Sequence, residues 1–242
     1  MKATLAGAGI ITSMTSTPQL DMIPTSVISR VLQFTGERER PGTAFVIGTG
    51  ADQRLITARH LCNDEHEEVV YLRHPWTNKG FAYQTTLIRV GRDVASKADF
   101  AVFRMQNPIH VGDDIPLVTG GMFIPQTAFV IGYPHGWGTQ GKGDLQTLPL
   151  VKSCVIAGRA TIEDIDLFYV DTIVNRGFSG GPLMFIDKRT GEAKFAGVVV
   201  KNMTTPIREP TSNEPNPPEA PAGIGVVIAE LTFRAALQTG TG

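Results

Sequence analysis

From Ser26 to Val200 the sequence is a succession of short β-forming runs, and that punctuation limits the fold more than any other feature. The runs are SVISRVLQF (26–34), TAFVIGT (43–49), EVVYL (68–72), AYQTTLIRV (82–90), FAVFR (100–104), AFVIG (128–132), LVKSCVIAG (150–158), LFYVD (167–171) and KFAGVVV (194–200). Each is rich in Val, Ile, Phe or Tyr, and clusters of Gly, Asp, Asn and Pro separate them. A helical period emerges only in IAELTFRAAL (228–237), where Ile228, Leu231 and Ala235 share a face. Many strands with one late helix predict an all-β chain, a sandwich or barrels, and argue against a doubly wound sheet. TGGMFIPQ (119–126) reads as a seam between two halves, about 26–118 and 119–238. Residues 203–222 hold six prolines and are expected to form an extended surface loop.

The chain has 242 residues, enough for one ordinary domain or two small barrels with a real core. Its net charge of −1 and pI near 6.5 give no basic excess for nucleic acid or an anionic membrane. No apolar run approaches ~18 residues, so no membrane span is predicted. Two cysteines, Cys62 and Cys154, are not a disulfide framework, and whether they pair stays open. The N-terminal MKATLAGAGIITSMTS has one Lys and a glycine-diluted apolar stretch, which suits a loose tail over 1–25 better than a signal peptide. The compartment stays open, with the cytoplasm slightly favoured over a secreted or periplasmic location. Nothing in the sequence points to an oligomeric state.

One stretch carries chemistry. GFSGGP (177–182) sets Ser179 among three glycines and a proline. A serine hydroxyl is a poor nucleophile near neutrality. It needs a base, a group to orient that base, and donors for the oxyanion that forms. Gly177 can let the chain turn so that its N–H and that of Ser179 point into one concavity. Gly180 and Gly181 keep side chains away from a substrate carbonyl. A glycine-rich hairpin with a solvated Ser is the plainer alternative, but six specified positions followed by the strand-like PLMFI weigh against it.

A base is available in GTAFVIGTGADQRLITARHLC (42–62), which reads as strand, polar turn, strand and a short turn carrying His60. An imidazole with pKa ~6.5 suits proton transfer near neutrality. His66, His74, His110 and His135 are alternatives that follow no comparable strand. An orienting carboxylate is available in KADFAVFRM (97–105), where Asp99 directly precedes an apolar strand, an odd place for a charge without a partner. A strand-capping role remains open for Asp99, and Asp93 in GRDVAS is its rival.

The order His60, Asp99, Ser179, with TARH, ADFAVF and GFSGGP around them, resembles the chymotrypsin-fold (trypsin-like) serine peptidases. The likeness is greatest to their bacterial trypsin-like and high-temperature-requirement-type branch. VIGYP (130–134) resembles the turn that opens the second barrel. GVVV (197–200) resembles the strand beside the specificity pocket, and GIGVVIAELTFRAAL (223–237) the closing strand and helix. The likeness spans about residues 27–237. It implies two antiparallel six-stranded β-barrels with the active site between them, a C-terminal helix, and hydrolysis of a protein or peptide substrate; nothing in the sequence calls for a metal or organic cofactor. By the same resemblance Ile173 lies at the base of the primary pocket. Val200, Lys201 and Asn202 follow, or lie on, the strand that pairs with the substrate backbone, as in β-strand addition. An apolar floor favours an uncharged, apolar or small residue on the acyl side of the cut bond.

Departures from the family qualify this. Animal digestive members carry an acid just before the nucleophile that pairs with a freshly cut N-terminus. Here that residue is Phe178 and no activation site is recognisable, so zymogen cleavage of that kind is not expected. Cys62 lies two residues after His60, so the usual neighbouring disulfide is not assumed. With Gly242 last, no peptide-binding domain is expected to follow. GWGTQG (136–141) matches a dinucleotide fingerprint by letter, but KGDLQTLPL after it has no helical pattern, and nucleotide binding is rejected. Cys62 with His66 is too sparse for zinc. The leading function is a serine endopeptidase. Its rivals are a latent or silent peptide-binding module on the same fold, and an esterase-like hydrolase using the same three residues.

Overall fold

In the computed structural model, which describes residues 23–36, 41–63, 67–75, 83–89, 98–105, 107–140, 147–207 and 216–238, the first strand starts later than expected. Pro24 presets its own φ at −58° and opens one helical turn, α1 (Thr25–Ile28), where a strand was read from 26 onward. Ser29 follows that turn, and its hydroxyl lies 2.7 Å from Val111 O and 2.9 Å from Ser26 O, with one proton to donate to either. The tail over 1–22, Asp93 and His66 lie outside the described residues.

Six strands then close a first barrel: β1 (Val31–Thr35), β2 (Pro41–Ile47), β3 (Arg54–Thr57), β4 (Glu67–Arg73), β5 (Tyr83–Arg89) and β6 (Ala101–Met105). Their order around the ring is β1-β2-β3-β6-β5-β4. The second ring contains β7 (Thr127–Gly132), while β8 (Thr139–Gln140) and β9 (Thr147–Leu148) make a small sheet beside it. β10 (Leu150–Ile162), β11 (Ile165–Asp171), β12 (Pro182–Ile186), β13 (Ala193–Pro206) and β14 (Glu219–Ala229) complete it, in the order β10-β11-β14-β13-β12-β7. Closure leaves neither sheet with an open edge along its full length. The expected pair of antiparallel six-stranded barrels is therefore present.

The two rings share packing. Phe45 of β2 meets Phe195 of β13 edge to face, with centroids 5.1 Å apart, and one continuous apolar cluster runs from Val31 to Val198 and Ile228. A second cluster, around Phe178, Leu183, Phe185 and Val199, fills the other ring. The segment between the rings is pinned by Val118 N–H to Phe195 O at 2.8 Å.

Two expectations are corrected. The final helix, α2 (Glu230–Gln238), excludes Ile228, because the β14 ladder runs on to Ala229, paired with Gly197. The face that the helix buries carries Phe233 and Ala236, while Ala235 is exposed. Residues 203–222 are not all loop. Thr204 pairs with Pro221 and Pro206 with Glu219, extending the β13–β14 hairpin. The prolines are tolerated there because β11 pairs with β14 only as far as Ile224, leaving one edge of the hairpin without a partner for the missing N–H. Cys62 and Cys154 are both buried and not joined in a disulfide, and burial pushes the Cys154 thiol up to about 12. No helix among the described residues is long and apolar enough to cross a membrane.

Candidate active site

β3 is buried along its whole length and ends at Thr57, after which Ala58 leads into a tight turn, Arg59–Leu61. β6 pairs with β3 through Thr57 and Ala101, so the residue two positions before Ala101 arrives beside that turn. The Asp99 carboxylate there accepts the His60 main-chain N–H at 2.9 Å and lies 2.7 Å from His60 Nδ1. Two-point contact fixes both the ring and the tautomer, because an ionised carboxylate can only accept. Phe100 anchors the start of the strand against Phe233 of α2, with ring centroids 5.1 Å apart. Of the other histidines, His74 is buried and its pKa is lowered by that burial, while His110 and His135 are exposed.

Ser179 comes from the opposite ring, on the segment leading into β12. Thr43 of β2 holds that segment. Its N–H donates to Ser179 O at 2.9 Å, and its buried hydroxyl donates to Gly177 O at 2.7 Å while accepting the Tyr133 N–H at 3.0 Å. The Arg176 carbonyl is turned onto the His135 N–H at 2.6 Å. His135 reaches it from a left-handed conformation, φ 54° and ψ 21°, a strained geometry for a non-glycine residue. A trans peptide points its N–H opposite its C=O, so the Gly177 N–H is aimed away from the 133–136 turn. Among the described residues neither Gly177 N–H nor Ser179 N–H meets a backbone acceptor. The Ser179 hydroxyl donates to Val200 O at 3.1 Å.

The glycines are needed for this approach. A Cβ on Gly180, at φ +84°, would stand 1.9 Å from Thr43 O and 3.0 Å from Ala58 N. The bare α-carbon lets the serine loop touch the backbone that leads to His60. Gly180→Ala adds left-handed strain to a backbone clash, and a stability loss of roughly 3 kcal/mol is expected from the two together, read by chemical denaturation. Gly177, at φ +101°, is similarly crowded by Tyr133 O at 2.4 Å.

Phe178, 1% exposed, anchors the loop by packing into the second ring's core, where an acid would need an ammonium partner. The Lys152 ammonium lies 5.9 Å from its ring centroid, donates to Ile173 O, and reaches Asn175 Oδ1 at 3.4 Å. Phe178→Ala is expected to cost about 3–5 kcal/mol of stability in the same denaturation assay.

The residues named for specificity separate. Ile173 is 44% exposed and its neighbour Val174 is buried, at 4%. Val200 is buried on β13, Lys201 is exposed, and the Asn202 amide is bonded to the main chain of Val174. Thr43, the His135 N–H and Lys152 escaped the sequence reading. Only Thr43, polar in an apolar run, gave a signal. The described part of GWGTQG leads into β8, and among the described residues no helix follows it before β9. No cluster of metal-binding side chains occurs among the described residues.

Comparison with solved structures agrees with this architecture. The inactive form of the Rv3671c protease from M. tuberculosis is 18% identical with a TM-score of 0.55, covering 89% of this chain and 91% of its own. The active form of that protease gives a TM-score of 0.57 at 18% identity, over 90% and 83%. The serine endoprotease from Yersinia pestis is 18% identical with a TM-score of 0.55, over 90% of this chain and 67% of that one. At such identity these likenesses speak for the fold alone. A search of curated proteins finds no match. The model of the trypsin-like peptidase domain matches residues 42–193, which takes in the His60 turn, Asp99 and the serine loop together. With two closed barrels around those segments, the chain belongs to the trypsin-like peptidase domain family and is a serine-type endopeptidase.

Proposed function

We propose that the protein hydrolyses peptide bonds through Ser179, His60 and Asp99 by way of an acyl-enzyme. The observation that carries the reading is the Asp99 carboxylate taking both the main-chain N–H and Nδ1 of His60. That contact leaves His60 Nε2 unprotonated to act as base. The Ser179 hydroxyl rotates from Val200 O towards His60, gives Nε2 its proton, and its oxygen bonds to the substrate carbonyl carbon. The carbonyl oxygen takes the electron pair and is held by the N–H groups of Gly177 and Ser179. Collapse expels the amine, which takes the proton from His60. Water repeats the sequence on the ester and releases the acid.

One observation favours a second reading, a peptide-binding module without turnover: the hydroxyl is held by Val200 O at 3.1 Å. Reaction with a fluorophosphonate, read by intact mass, tests between them. One adduct on Ser179 is expected. A folded protein that takes no adduct overturns the catalytic reading and favours the binding module.

A further inference from the structure

We infer that Asn202 is a latch across the slot beside Ser179 and confines the residue on the acyl side of the cut bond to a small side chain. The inference rests on the catalytic reading above. On this inference an acyl carbon attacked by Ser179, with its oxygen at the N–H groups of Gly177 and Ser179, sends its side chain between two segments. One is 173–176, leading into the serine loop. The other is β13 from Val200 to Asn202, which passes close enough for Ser179 Oγ to reach Val200 O at 3.1 Å.

These walls are joined to each other. Asn202 Oδ1 accepts the Val174 N–H at 2.6 Å, and Asn202 Nδ2 donates to Val174 O at 2.6 Å. One amide therefore satisfies both main-chain groups of Val174, as a strand partner would. That pairing requires the walls to stand a single short side chain apart. Behind the latch the surroundings are apolar. A Cβ on Gly225 would lie 2.6 Å from Val174 Cγ2 and 2.9 Å from Val170 Cγ2, so the two valines lie against the bare α-carbon. Lys152 fixes the 173–175 wall from outside through Ile173 O and Asn175 Oδ1. The wall is thus held on both sides, and neither a long aliphatic nor an aromatic side chain has room without breaking two short hydrogen bonds.

Removing the amide opens the slot towards an apolar floor of Val174 and Val170. Nothing in that floor pairs with a charge, so the specificity gained is for larger apolar residues.

The test is kcat/KM on peptide anilides that differ only in the residue before the anilide: Gly, Ala, Val, Leu or Phe. The wild type is expected to favour Ala over Leu by about 100-fold, the scale on which a pocket discriminates by size. Asn202→Gly is expected to erase or invert that ratio, with Asn202→Ala relaxing it in part. The Ala variant keeps strand propensity and serves if Asn202→Gly does not fold. Fluorophosphonate labelling, which needs no acyl-side residue, is run beside each assay. A labelled wild type that cuts after Leu as readily as after Ala overturns the latch alone, as does a ratio unmoved in a folded variant. A folded wild type that takes no label overturns the catalytic reading, and the latch falls with it.

Discussion

Ser179→Ala is expected to lower kcat on a peptide substrate by on the order of 10⁶-fold while leaving thermal unfolding within a degree or two of wild type. The two halves of this expectation have separate causes. The hydroxyl supplies the bond-forming oxygen, and without it His60 and Asp99 have nothing to activate. Its one hydrogen bond in the resting structure runs to Val200 O at 3.1 Å, at a half-buried position. The loop is held by other groups: the Thr43 bonds to Gly177 O and Ser179 O, the Gly180 N–H to Val199 O at 2.8 Å, and the Phe178 ring. None of them uses the serine side chain. Stopped assays with matched melting curves check both halves, and a variant that retains turnover would remove Ser179 from the mechanism.

Asp99→Asn should come next in size, with kcat falling by about 10⁴-fold and little change in stability. Asp99 serves two donors at once, the His60 N–H at 2.9 Å and Nδ1 at 2.7 Å. An asparagine has only one acceptor oxygen. The main-chain N–H cannot change its role, so the amide oxygen must stay with it, and the amide NH₂ then faces the ring. Nδ1 is forced to accept, the proton moves to Nε2, and the nitrogen meant to take the serine proton is already occupied. Both side chains are about a third exposed, at 37% for His60 and 34% for Asp99, so loss of the charge is cushioned by solvent and the fold is spared. Steady-state kinetics beside NMR of the imidazole protons would show the low rate and the changed tautomer together. A variant with near-normal kcat would assign Asp99 to capping its strand.

Much of this was readable in the chain because the chemistry is local in its demands. Ser179 needed glycines in its loop, and GFSGGP declares three of them within six positions. Asp99 stood out because a carboxylate before an apolar strand needs a partner. The strand runs were legible through their β-branched and aromatic content, and with them an all-β chain; the choice of two barrels over a sandwich came from the family resemblance. Where the reading slipped, a competing local force was at work. Pro24 started a helical turn in a run with strand composition, and the β14 ladder held Ile228 that the helical period claimed.

What the tertiary structure alone decided lies in contacts between distant segments. Thr43 reaches Gly177 across 134 positions, His60 reaches Asp99 across 39, and Asn202 reaches Val174 across 28. Composition shows that such groups exist, but whether they meet depends on strand register and on how two rings face each other. A shift of one residue in β13 would turn the Asn202 amide to the opposite face and open the slot that it bridges. Local preference therefore determined the elements and the reactive groups, while the closing of two barrels against each other determined which hydrogen bonds those groups could make.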